Sequence, residues 1–150
     1  MSLKSEKAVA AFTSGFNCSQ STLSVFCDEL SLDRESAFKI ACGFGAGMGR
    51  KGEICDALSG AIIALGARYG RGENDDPAAT AITYRRTSEL LQRFTEKHGS
   101  VRCKELLDGC DFTTPQGQQL FAEKEMKRNI CVPCVETAVT LVEELLSTPV

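Results

Sequence analysis

Apolar positions along this chain recur with helical rather than alternating spacing. Toward the C-terminus Val135, Ala138, Val139, Val142, Leu145 and Leu146 follow i, i+3, i+4, i+7, i+10 and i+11, with Glu136, Glu143 and Glu144 on the other side. Such a stripe predicts an amphipathic helix facing a core. Ile82, Thr83, Thr87, Leu90, Leu91 and Phe94 trace a second stripe, leaving Arg85, Arg86, Glu89 and Arg93 to solvent. Asn74-Asp75-Asp76-Pro77 marks its start and His98-Gly99 its end. Apolar segments at Cys18 to Leu30, Asp33 to Gly43 and Cys55 to Tyr69 complete the main set, and Thr113-Thr114-Pro115 opens a shorter helix from Gln116 to about Lys127. No segment alternates as a strand would. The expectation is an all-α fold, a single-domain compact helical bundle of about five main helices spanning residues 1–150.

Two stretches interrupt the helical pattern. Gly43-Phe-Gly-Ala-Gly-Met-Gly-Arg-Lys-Gly52 carries five glycines in ten residues, and Gly70-Arg-Gly72 leads into a polar loop. A glycine-rich loop running into a helix can turn backbone N–H groups, here those around Gly45, Gly47 and Gly52, toward an anion or cofactor. The same loop can equally be a turn where helices approach closely. It lacks the preceding strand of a dinucleotide fingerprint and the Lys-Ser/Thr of a phosphate-binding loop.

Composition adds one unusual feature. With 43% hydrophobic and 25% charged residues the chain reads as an ordinary globular protein, but eight of its residues are cysteine beside one histidine. The net charge of −3 offers no global field for nucleic acid or anionic lipid. The N-terminal residues 1–12 have neither a signal-type apolar core nor a span long enough for a membrane, so a cytoplasmic location is expected, without nucleic acid or membrane as partner. Thiols are kept reduced there, and a cysteine-dense chain points to catalysis, redox sensing or metal binding. Cysteines also fill cores as small hydrophobes.

Cys55 falls in the first turn of the helix that the glycine loop opens, where the dipole, Arg50 and Lys51 favour a thiolate and Glu53 and Asp56 oppose it. Cys131-Val-Pro-Cys134 has the spacing of a local dithiol, or of half a metal site, at a helix start that Pro133 suits. Cys18 and Cys27 are half a turn out of phase on one predicted helix and cannot face one site. Cys103 and Cys110 share a face only if their helix persists, which Gly109 opposes. Cys27, Cys42 and Cys110 read as core or accessory thiols. His98, at a helix end, is most simply bonded to the last carbonyls, and Arg85-Arg86 is a surface pair.

Phe16-Asn17-Cys18-Ser19-Gln20, then Gly43-Phe-Gly-Ala-Gly47, then Gly52-Glu-Ile-Cys-Asp-Ala-Leu-Ser-Gly60 running into Ala61 to Gly66, resembles the C_GCAxxG_C_C family of redox-active proteins. The likeness extends through Cys103-Lys-Glu-Leu-Leu107 and Cys131, covering residues 12 to about 145. It implies redox activity or a bound prosthetic group, with Cys18, Cys55, Cys103 and Cys131 as the defining cysteines. Asp56 departs from the family, which has glycine after the central cysteine; an acidic group there bears on any anionic cluster and on the thiol's pKa.

Three functions follow as expectations. The first is a thiol-based redox protein, a candidate thiol–disulfide oxidoreductase, with Cys55 as nucleophile, Cys18, Cys103 or Cys131 as partner, and Cys131 with Cys134 as a second pair; its partner is a redox protein or a small thiol or disulfide. The second is a four-thiolate site on Cys18, Cys55, Cys103 and Cys131 holding an iron–sulfur cluster or zinc. The third is a helical interaction module whose cysteines only pack.

Overall fold

The computed structural model describes all of residues 1–150. Eight α-helices follow one another: α1 (Leu3–Thr13), α2 (Cys18–Ser24), α3 (Arg34–Cys42), α4 (Asp56–Tyr69), α5 (Ala78–His98), α6 (Cys103–Leu106), α7 (Pro115–Glu123) and α8 (Val132–Ser147), the last preceded by a π-helical turn (Lys127–Cys131). The all-α expectation holds. Local signals set several boundaries: Asn17 and Gln20 form a reciprocal capping box on α2, Asp33 caps α3, and Thr114 caps α7 just before Pro115.

Helix α4 packs against α2, α5 and α8, and α8 packs in turn on α1, α2 and α5. The close crossing of α4 with α2 depends on Gly60, where a Cβ would stand 2.4 Å from the Ser19 carbonyl oxygen. The main core runs from Ala8 and Phe12 through Leu23, Phe26, Leu58, Leu65, Leu90 and Phe94 to Val139, Val142 and Leu145. A second, smaller core gathers Cys103, Leu107, Cys110 and Met126, with Phe112, Leu120 and Phe121 against it. Cys131 packs on both cores.

Three local expectations change. The N-terminal segment is a full helix, α1, capped by Ser2, whose hydroxyl also donates to Glu143 Oε1 at 2.6 Å. Helix α2 stops at Ser24, so Cys27 lies in the following turn, buried in the main core with its thiol toward the Leu23 carbonyl oxygen (3.7 Å). Arg86 is no surface residue: it is 6% exposed, donates to Thr148 Oγ1 and to the Thr148 and Pro149 carbonyl oxygens, and lies over the Tyr69 ring. Cys131-Val-Pro-Cys134 does span a helix start as expected, Cys131 preceding α8 and Pro133 lying in its first turn, but a π turn runs into it. Pro133 has no N–H for the Asn129 carbonyl, and the chain answers with the wider π turn, in which the Val132 N–H bonds to the Lys127 carbonyl oxygen.

Candidate functional site

Five of the eight cysteines converge where the two cores meet. Cys18 arrives as the first residue of α2, placed by the Asn17 cap. Cys55 is the residue before α4. Cys103 opens α6 and is tied to Cys55 by an antiparallel bridge between Ile54 and Arg102: the Cys55 N–H bonds to the Val101 carbonyl oxygen (2.8 Å) and the Cys103 N–H to that of Glu53 (2.6 Å). Cys131 ends the π turn and Cys134 stands three residues on, inside α8.

The sulfurs form cross-helix pairs. The Cys18 thiol hydrogen-bonds to Cys131, and the Cys55 thiol to Cys134. None of the eight sulfurs is joined to another. The local Cys-x-x-Cys therefore supplies one member to each of two pairs.

Electrostatics oppose the activation expected at helix starts. The Cys18 thiol is pushed well up by its bond to Cys131, then by burial and the nearby Asp56 charge. Cys55 is pushed up by its bond to Cys134 and by burial; the backbone N–H of Ala57 favours its thiolate but does not prevail. Cys134, which receives that bond, is drawn down against burial and Asp56. Burial, with Asp56 next, pushes Cys103 up to about 12. A helix N-terminus thus fails to outweigh the bond to Cys134 and desolvation at Cys55.

Asp56 is the residue that links the thiols and the glycine loop. It is 3% exposed, and its Oδ2 accepts the Ser19 N–H at 3.0 Å. The N–H groups of Cys18 and Gly47, and its own, also favour its carboxylate, yet burial raises its pKa from 3.8 to about 6. The anion that the loop and a helix start suit is therefore part of the chain itself. The other two glycines have committed N–H groups as well, Gly45 to the Cys42 carbonyl oxygen and Gly52 to that of Ala46.

The loop turns left-handed to do this. Ala46, Gly47, Met48, Gly49 and Arg50 have φ of 53°, 71°, 68°, 58° and 70°, a conformation costing about 1–2 kcal/mol at each non-glycine position. Gly47 is required twice over, because a Cβ there would meet Glu53 N at 2.7 Å and Cys103 Cβ at 2.8 Å. The backbone thus approaches Cys103 and Asp56 together.

A cavity of about 420 Å³ opens onto Cys18, Cys103, Cys131 and Asp56. Phe12, Phe112, Phe121 and Leu107 form apolar wall, and Arg50 and Lys127 also line it. Cys131 is half-buried, while Cys18, Cys103 and Asp56 are buried. Cys55 and Cys134 do not line this cavity. Cys110 lies in the smaller core, its thiol donating to the Gly117 carbonyl oxygen at 3.0 Å, and Cys42 is exposed at the end of α3. His98 stacks on Phe94 and shares a 2.8 Å hydrogen bond with Thr137, outside the cavity.

Sequence reasoning anticipated that Asp56 opposes the Cys55 thiolate, as it does, but missed the cross-helix pairing and the seating of Asp56 against the glycine loop. One signal was present for the latter: the only carboxylate of a helix made mostly of Ala, Leu, Ile and Gly, placed at its head beside Cys55. Four thiolates on Cys18, Cys55, Cys103 and Cys131 have the softness for zinc or iron–sulfur. As placed, no three His, Cys, Asp or Glu side chains are grouped to hold a metal ion, so the donors do not fit such a centre without rearranging. No helix is long and apolar enough to cross a membrane.

Comparison with curated proteins finds no match, and neither does comparison with solved structures. A family model described as "Putative redox-active protein (C_GCAxxG_C_C)" matches residues 16–145, from the residue before the α2 cap to the last turn of α8. The matched span holds every thiol of both pairs, Cys103, the glycine loop and the cavity apart from Phe12 and Gly15. The chain belongs to the C_GCAxxG_C_C family of redox-active proteins.

Proposed function

We propose that this protein works by dithiol–disulfide exchange, with Cys131 and Cys18 as the pair that meets substrate. One observation carries the reading: Cys131, half-buried and in thiol–thiol contact with Cys18, faces a cavity that both line. Cys55, expected as the nucleophile, has no frontage on that cavity.

The Cys18 thiol donates to the Cys131 sulfur, and that bond, then burial and the Asp56 charge, keep Cys18 protonated. Cys131, as thiolate, attacks one sulfur of a disulfide R–S–S–R. A bond forms between Cys131 and that sulfur, the R–S–S–R bond breaks, and RS⁻ leaves. Cys18 then gives up its proton and attacks Cys131 Sγ, forming the Cys18–Cys131 bond and expelling the second RS⁻. The two thiol protons end on the two leaving sulfurs, and two electrons pass from the cysteine sulfurs to substrate. Cys134, three residues from Cys131 on the same helix, gives the oxidised outer pair a nearby dithiol, Cys55–Cys134, to exchange with; the outer pair is reduced as the inner is oxidised. A reducing compartment such as the cytoplasm suits this cycle.

Titration of free thiols before and after a mild disulfide oxidant tests the reading, with mass spectrometry locating the bridge. Loss of Cys18 and Cys131 together, abolished in Cys18→Ser and Cys131→Ser, is expected. Unchanged thiols overturn it, as does serine substitution that alters stability alone. So does protein purified without oxygen that is brown, absorbs near roughly 400 nm and contains iron, or that carries stoichiometric zinc.

A further inference from the structure

Resting on the exchange reading above, we propose that the cavity over Cys131 selects small disulfides bearing an anionic group on an aromatic or apolar body. Two features of the lining argue for this together. Phe12, Phe112, Phe121 and Leu107 supply apolar wall, and the volume of about 420 Å³ is that of an ordinary small-molecule site. Arg50 and Lys127 supply the only cationic side chains in the lining.

Those two cations have no acidic partner. Neither enters any ion pair of the chain. Lys127 instead holds its ammonium 4.8 Å over the Phe12 ring, which fixes it against the aromatic wall. A molecule of net charge −3 thus keeps two uncompensated positive groups on the cavity that its outer thiol faces. The one acid in the lining, Asp56, is buried and directed at backbone N–H groups. An adjoining hollow of about 250 Å³ shares Arg50 and Phe112 and adds Lys51, Lys104 and Asp111. Asp111 is held low first by Thr113 and then by Lys104 and Lys51, so its charge opposes those lysines rather than the cations at the thiol cavity.

In the exchange step the anionic group rests with Arg50 and Lys127 while the apolar body lies on the phenylalanines, bringing the disulfide to Cys131. Atoms and electrons balance as above, R–S–S–R being reduced to two R–SH. A cationic disulfide gains the apolar contacts but meets like charge.

Three disulfides separate these terms: dithiobis(nitrobenzoate), aromatic with a carboxylate on each ring; dithiodipyridine, aromatic and neutral; and cystamine, cationic. Rates of loss of the Cys18 and Cys131 thiols are followed by quenching and mass spectrometry, each divided by the rate with a neutral free thiol. The normalised rate for the anionic disulfide should exceed the neutral one about tenfold, with cystamine slowest, and added salt should compress this order in the unaltered protein. Replacing both cations, Arg50→Gln with Lys127→Gln, should lower the anionic-to-neutral ratio about tenfold. An order that survives both salt and the double substitution overturns the proposal, as does cystamine reacting fastest. If dithiodipyridine oxidises Cys18 and Cys131 without any charge preference, the selectivity alone fails. If none of the three oxidises that pair, the exchange reading fails and the selectivity with it.

Discussion

Cys131 and Cys134 stand three residues apart at the head of one helix, and each reaches a partner on a different element. Cys131 meets Cys18 beside a cavity; Cys134 meets Cys55 inside the main core. Both pairs are dithiols, and the N-terminus of a helix stands behind Cys18 and Cys55 alike. What differs is access. Thiol–disulfide exchange needs an attacking sulfur that substrate can approach in line with the bond it breaks, and only the outer pair offers one. On the proposed exchange reading the inner pair is better placed to store oxidation than to meet substrate. Cys103, held by the Ile54–Arg102 bridge and strongly raised by burial, lines the cavity but makes neither thiol–thiol contact.

The sharpest way to break this comparison is to remove one sulfur from each pair. Cys131→Ser should slow the reaction with a small disulfide by about 100-fold or more, because it removes the attacking atom. Cys134→Ser should leave that first exchange within about twofold. Stopped-flow thiol loss measures both, and equal effects would erase the distinction between outer and inner pairs.

Gly60→Ala attacks what both pairs share. Its new methyl would meet the Ser19 carbonyl oxygen at 2.4 Å, so α2 must move off α4 or the backbone must yield. Overpacking of this kind costs about 1–3 kcal/mol. Because Cys18 rides on α2 and Cys55 on the head of α4, urea midpoints should fall and the mapped bridges should lose their pairing together. A variant that is destabilised yet keeps both bridges would show that the pairs do not depend on this crossing.

Helices α5 and α8 were legible in the sequence because their apolar stripes are long and their surroundings are ordinary. The capping residues Asn17, Asp33 and Thr114 act locally and could be read locally. The site was legible by residue but not by pairing. Cys18, Cys55, Cys103 and Cys131 are recognisable along the chain, while their contacts depend on how α2, α4 and α8 cross, which no spacing encodes. Pro133 was legible as a first-turn proline and lies in the first turn of α8; the π turn that runs into that helix, where its missing N–H is absorbed by wider bonding, was not legible. Arg86 was read as exposed because its partners, Thr148 and Pro149, lie more than sixty residues away.

Asp56 touches the comparison from the side of charge. Its carboxyl ionises near pH 6 when folded against an ordinary value of 3.8. Below about pH 3.8 both states hold the proton and nothing is lost; between the two values the folded protein binds a proton the unfolded chain has released, so stability falls as pH rises. Above about pH 6 the penalty is complete, roughly 3 kcal/mol at most. Asp56→Asn should remove that slope, seen as urea midpoints that no longer fall between pH 4 and 6, while the loss of a carboxylate acceptor for the Ser19 N–H offsets part of the gain. Since the Asp56 charge raises Cys18, Cys55 and Cys103 and opposes ionisation of Cys134, the variant's buried thiols should alkylate a few-fold faster at pH 8. An unchanged stability slope would mean that another group titrates there.

Pro133→Ala should have the smallest effect on stability and a selective one on pairing. Alanine restores an N–H at position 133 and lets the helix close an ordinary bond to the Asn129 carbonyl, relieving the need for the π turn. Stability should therefore change by less than about 1 kcal/mol, with the better helix former on the favourable side. If the turn tightens, the residues before it rotate and shift relative to α8, carrying Cys131 away from Cys18 while Cys134, inside the regular helix, keeps Cys55. Mapping bridges after mild oxidation should then show the inner disulfide intact and the outer one diminished. The reverse pattern, or loss of both, would mean that the π turn does not set the divergence of the two pairs.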